Sequence, residues 1–274
     1  MGQFSKMDRK SLVRQGKPVE CLGLTFYPIK MYHYDDFLAS KDALVLRLGT
    51  LPVKYAIKDY LNAIFSLEYD AVQGNGVGIG LFNRAISLLL MSLRIDVNLK
   101  EFIGKQVFIR QVGENDFEID HIVVIQNNIR VEITPQDFSS QIRPLIAEQN
   151  GLELPNESDN AELVKAQEEL TELNNSTKRL KQSTTSLIAS VAYNSKVSER
   201  EIDEWTVREF ENRRSAIERD KRYTLYSQAE LSGMVSFKNG NPFPSWCYDT
   251  IDDTMGTMAL SSLGNAIGGA TQKQ

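Results

Sequence analysis

Thiols and imidazoles are scarce in this chain: Cys21, Cys247, His33 and His121 are the only cysteines and histidines among 274 residues. Two thiols cannot build a disulfide framework or a four-thiolate zinc site, and both imidazoles stand far from them in sequence. No metal or other cofactor is therefore expected. Long apolar runs are missing too. The richest stretch, Ile79 to Ile95, is interrupted by Asn83, Arg84 and Arg94 and falls short of the ~20 residues a spanning helix needs. It reads as a buried core helix, and no membrane association is expected. The first twenty residues hold five basic and two acidic side chains with no apolar run behind them, so no secretory signal is expected. Met1-Gly2 begins like a myristoylation signal, but Lys6 stands where Ser or Thr is required. A reducing cytoplasm is the expected compartment. A surplus of positive charge is also lacking: 31 Lys and Arg against 36 Asp and Glu give a net charge of −5, which argues against nucleic acid as a partner.

What remains, 42% hydrophobic and 24% charged residues, is ordinary for a globular protein. Residues 1–20 read as a flexible basic arm. From Cys21 the alternation Cys21-Leu22-Gly23-Leu24-Thr25-Phe26 predicts a short strand, opening a mixed α/β domain over 21–150. Asp35 or Asp36 suits a helix start, and Pro52 suits a first helical position. Beyond it, Val53, Ala56, Ile57, Tyr60, Leu61 and Ile64 recur on one helical face. Three β-branched runs, 106–112, 117–125 and 129–133, are separated by turn formers and predict an antiparallel meander. Thr134-Pro135-Gln136-Asp137 then supplies a cap, a proline and a first-turn acid for a helix with Phe138, Ile142, Leu145 and Ile146 on its inner face.

The polar stretch 151–160 reads as a linker into a helical region over 161–252, and 253–274 as a flexible tail. Leu163, Ala166, Leu170, Leu173, Leu180, Leu187 and Val191 share one heptad register, loosened by Thr177 and Thr184 at inner positions. Segment 174–186 has the composition of unstructured chain. From Glu199 to Arg222, 15 of 24 residues are charged, with six acids and two bases in the first thirteen and two acids and five bases in the last eleven. Acids early and bases late complement the helix dipole, which predicts a solvated helix of about six turns. The fold class is thus α+β: a mixed domain with a small antiparallel meander and core helices, followed by a mainly helical region.

Chemistry-bearing motifs are sparse. Gly74, Gly76, Gly78 and Gly80 alternate before a helix, a geometry able to cradle phosphate, but neither a Lys-Ser/Thr pair nor GxGxxG spacing is present. His121 falls inside a strand, where packing is the expected role. No carboxylate pair or nucleophile stands in a recognisable context, so no catalytic residue is expected and the chain is not read as an enzyme. The aromatic positions are more distinctive. Two prolines bracket Phe243 and stiffen a segment that presents Phe243 and Trp246, either as anchors for a groove or as caps on their own domain.

A pattern unites these elements. The helix with Phe138, Arg143 and Glu148-Gln149-Asn150, the charged middle, the block Glu204-Trp205-Thr206-Val207-Arg208-Glu209-Phe210, then Ser232-Gly233-Met234 and Asn241-Pro242-Phe243-Pro244-Ser245-Trp246 together resemble tail assembly chaperones of long-tailed phages of Gram-positive bacteria. The resemblance spans about 50 residues near the C-terminus in its specific pattern. It implies a non-enzymatic protein of the host cytoplasm that binds the tape measure protein and helps recruit tail tube subunits during virion assembly. Many such proteins exist as a short form and a longer frameshifted form; in that arrangement this chain corresponds to the long product. Trp205, Phe210, Phe243, Trp246 and Tyr248 are the expected partner-binding residues, and self-association is a further expectation. The alternative role is a baseplate or tail completion subunit of the virion.

Overall fold

A computed structural model describes residues 6–74, 80–114, 116–156, 183–233, 237, 241, 243 and 245–247. The chain divides into two units, Met1–Arg213 and Arg214–Gln274. The fold is α+β, with a mixed N-terminal region and helices toward the C-terminus.

In the first unit, helix α1 (Lys6–Arg14) leads into strands β1 (Val19–Cys21) and β2 (Leu24–Phe26), an antiparallel hairpin. The expected flexible arm is thus largely structured. Val13 and Val19 are buried, and Arg9 pairs with Glu148 at 3.0 Å, so two apolar side chains offset the ordering of a polar segment. Short helices α2 (Tyr34–Ser40) and α3 (Asp42–Val45) follow, with Asp35 and Asp36 in the first turn of α2.

The apolar face expected over residues 53–64 is divided between α4 (Val53–Ala56) and α5 (Tyr60–Val72). Val53 and Ile57 are exposed, whereas Tyr60, Leu61 and Ile64 are buried. The chain turns at residues 57–59, and Lys58 Nζ there lies 3.0 Å from Asp116 and 3.3 Å from Glu118. Pro52 precedes α4 as its N-cap.

Helix α6 (Leu81–Leu93) is the centre of the unit. It touches α2, α3, α5 and β2 and buries nine of its thirteen residues, as a helix apolar on most sides must. Gly80 enters it in a left-handed conformation, φ 68°, and has no side chain to cap it. Glu68 of α5 compensates: its carboxylate accepts from the Phe82 amide at 3.0 Å and from Asn83 Nδ2 at 2.7 Å.

Helix α7 (Leu99–Gln106), capped by Asn98, runs into the meander of β3 (Val107–Gln111), β4 (Phe117–Gln126) and β5 (Ile129–Ile133), antiparallel in the order β3-β4-β5. Asn127 and Asn128 both have positive φ in the β4–β5 turn, a conformation asparagine tolerates well. Ile119, Ile122 and Val124 face the core, where the Ile119 amide donates to the buried Asn62 side chain at 2.7 Å. Thr134 and Asp137 form a capping box that starts α8 (Pro135–Asp137), a π turn at Phe138–Ile142 and α9 (Arg143–Gln149). Phe138, Ile142, Leu145 and Ile146 are all buried as their spacing predicts.

The first unit extends past the boundary expected at 150. Helix α10 (Thr184–Ser195) and helix α11 (Glu199–Asp203) belong to it, as does the start of α12 (Val207–Leu231). Lys30 and Thr206 form an antiparallel bridge, flanked by bonds from Met31 N to Trp205 O and from Val207 N to Ile29 O, both 2.9 Å. Fully buried Ile202, Val207 and Phe210 complete the apolar interior. The chain after 156 therefore returns to the mixed domain because that domain's edge backbone and core need it. The single six-turn helix expected from Glu199 is interrupted at 204–206 for the same reason, and α12 continues to Leu231. The heptad positions Leu163 to Leu180 and the expected tail 253–274 lie outside the described residues. Among the described residues, no helix is long and apolar enough to cross a membrane.

Candidate functional site

Trp205 and Phe210 sit at the return of the chain onto the first unit. The Ser198–Glu201 capping box starts α11, and hydrogen bonds from Ser198 hold the Glu201 carboxyl below its ordinary range. Trp205 is half-buried, with the Arg213 guanidinium 4.0 Å from its ring centroid. Phe210 is fully buried and meets Tyr34 edge-on at 5.4 Å. Tyr34 in turn donates its hydroxyl to Glu211 at 2.5 Å. Phe210 consequently packs its own domain and presents no surface to a partner, a correction to its expected role. Arg208 donates to Glu148 O, and Ile29 N–H donates to buried Asn150 at 2.9 Å, so the Glu148-Gln149-Asn150 block and the Trp205 block are parts of one joint.

The remaining expected residues belong to the second unit. Tyr226 of α12 stacks on Phe237 at 5.6 Å and receives Phe243 edge-on at 4.5 Å. Asn241 fixes this return by donating to Glu230 at 3.1 Å and accepting the Phe243 amide at 2.8 Å. Phe243 is 9% exposed, whereas Trp246, three residues on, is 63% exposed. The two aromatics thus separate into one that caps its own helix and one that faces outward. Leu225 and Leu231 of α12 are exposed as well. Tyr248 lies outside the described residues.

A groove of about 430 Å³ opens in the first unit between the Pro28–His33 segment and the C-terminal half of α6. Ile29, Leu90 and Met91 contribute apolar lining, Lys30, Asp36, Arg94 and Asp96 contribute charge of both signs, and His33 contributes an imidazole. His33 Nδ1 stands 3.9 Å from Asp36, and Arg94 lies over the Tyr27 ring at 4.2 Å. This groove had no sequence signal, because its walls come from segments some sixty residues apart. The expected phosphate cradle is described only at its ends, Gly74 and Gly80. The Glu68 carboxylate already occupies the N-terminus of α6, where an anion would meet like charge.

Cys21 is half-buried, and burial pushes its thiol pKa up, the direction of an unreactive thiol. His121 stacks on Phe108 at 4.7 Å and bonds Asp120 at 2.8 Å. No group of three or more His, Cys, Asp or Glu able to hold a metal ion occurs among the described residues. Compared with known proteins, the chain matches no family model, no curated protein and no solved structure.

Proposed function

We propose that this chain is a phage tail assembly chaperone, acting without catalysis in the host cytoplasm to bind the tape measure protein and help recruit tail tube subunits. The observation that carries this reading is the division of labour in the second unit. Phe243 is seated against Tyr226 while Trp246 stands 63% exposed on the same short segment. A large exposed aromatic close to a seated neighbour suits an anchor for an apolar stripe on a helical partner. The charged surface of α12 suits a protein that keeps such a partner in solution.

Co-expression of the full chain with a tape measure protein and with a tail tube protein, followed by affinity capture in mild salt, tests the reading. Recovery of a stable complex with the tape measure protein is expected. Failure to capture either protein would overturn it, and stoichiometric presence of the chain in purified virions would favour the structural alternative.

A further inference from the structure

Strand β5 has one satisfied edge. Its inner side pairs with β4 from Gln126↔Ile129 to Ile122↔Ile133 without a bulge. Among the described residues no backbone bond reaches its outer side. An open edge of this kind is a template for another strand, and the usual protections of proline, bulge or inward lysine are lacking here. Its side chains alternate. Ile129, Val131 and Ile133 lie on one face, with Ile129 53% exposed. Arg130 and Glu132 lie on the other, 3.2 Å apart, with their side chains 62% and 57% exposed.

We propose that β5 pairs antiparallel with β5 of a second copy of this chain, about a two-fold axis through Val131. The occupant follows from the charges. In that register Arg130 faces Glu132 of the second copy and Glu132 faces its Arg130, so the strand is complementary to itself. Val131 meets Val131, and exposed Ile129 stands opposite Ile133, whose side chain is already buried in its own core. Directly opposed residues share a face, so two three-stranded sheets join into one of six strands. The other open edge, β3, has no such symmetry. Self-pairing about Ile109 would set Phe108 against Arg110 and Val107 against Gln111. Pairing β3 to β5 would leave an edge free at each end and build an open filament. The dimer needs no tail protein and stands apart from the chaperone reading.

Arg130→Glu and Glu132→Arg, made separately in the full chain, test the register. Sedimentation across micromolar to millimolar concentration should show the wild-type chain of 31.0 kDa in reversible equilibrium with its dimer. Each variant places like charges opposite each other twice, and association should weaken at least about tenfold. Neither variant retains the pair within the chain. An equimolar mixture nevertheless restores opposite charge at every position across the axis, so dimer formation should recover as a heterodimer. Circular dichroism confirms that each variant is folded. An independent arm is Val131→Cys in a Cys21→Ser, Cys247→Ser background. Opposed residues in an antiparallel pair stand about 4.5–5.5 Å apart, so oxidation should yield a disulfide-linked dimer. A wild-type monomer throughout, single variants that associate like wild type, a mixture that fails to recover, or no crosslink would each overturn the proposal.

Discussion

Asn150 is buried and uses its whole amide on backbone: Oδ1 accepts from Ile29 N–H at 2.9 Å, and Nδ2 donates to Ile146 O at 2.8 Å. Removing one partner strands the other without water, which costs more than the bond itself is worth. Asn150→Ala should therefore lower unfolding stability by about 2 kcal/mol, read from the urea midpoint at unchanged slope. Asp70 illustrates a different control. The Lys54 ammonium at 2.6 Å, together with the Tyr55 hydroxyl at 2.8 Å, holds its carboxyl below the ordinary range. A carboxyl whose folded pKa is depressed contributes stability above its unfolded value, about 3.9, and loses it as pH falls through the lower folded value. Asp70→Asn should accordingly melt earlier than wild type at neutral pH, and the difference should close in acid. Thermal melts from neutral pH to below about 4 check this; a gap that persisted in acid would assign the effect to packing instead.

Elements with local signals were legible in the sequence, and elements defined by return contacts were not. Thr134 with Asp137, and the spacing of Phe138, Ile142, Leu145 and Ile146, announce a helix because cap and apolar face lie within a few turns. The three strands of the meander were equally plain, since asparagine and glycine turns separate β-branched runs. By contrast, the polar stretch after 150 imitates a domain boundary, and nothing nearby tells that Thr206 will bridge Lys30. The same blindness affected Phe210, whose charged helix advertises a solvated surface while its ring fills the core. A consequence concerns truncation. A chain ending at residue 150 lacks the backbone partners of Ile29 and Met31 and exposes the surface that Ile202, Val207 and Phe210 cover. Burying three such side chains contributes on the order of 5 kcal/mol, a large share of a domain's net stability. Residues 1–150 alone should therefore bind a hydrophobic dye and melt broadly at lower temperature. Residues 1–213 should unfold cooperatively, as calorimetry of the two fragments would show.

For the whole molecule the decisive property is segregation. A net charge of −5 gives little indication that six of the first eight charges after Ser198 are acidic while five of the last seven are basic. Beyond Phe210 these charges keep α12 solvated, and the aromatic return around Tyr226 packs against it. Phe243 and Trp246 were legible in the sequence as a pair, but their opposite exposures were not, because both prolines stiffen the segment without choosing which ring turns inward. That choice separates two outcomes. Trp246→Ala removes an outward ring and should leave the melting of residues 1–213 and the helicity of α12 unchanged. If the ring anchors a partner, capture of the tape measure protein should weaken at least about tenfold, the scale of a binding hot spot. Phe243→Ala removes the seat instead. It should loosen the segment around Tyr226, seen as lost protection from exchange of the backbone amide at position 243, which donates to Asn241, and weaken capture indirectly. Full capture by Trp246→Ala together with loss by Phe243→Ala would move the anchor from the exposed ring to the packed one, since only the indole would then be dispensable.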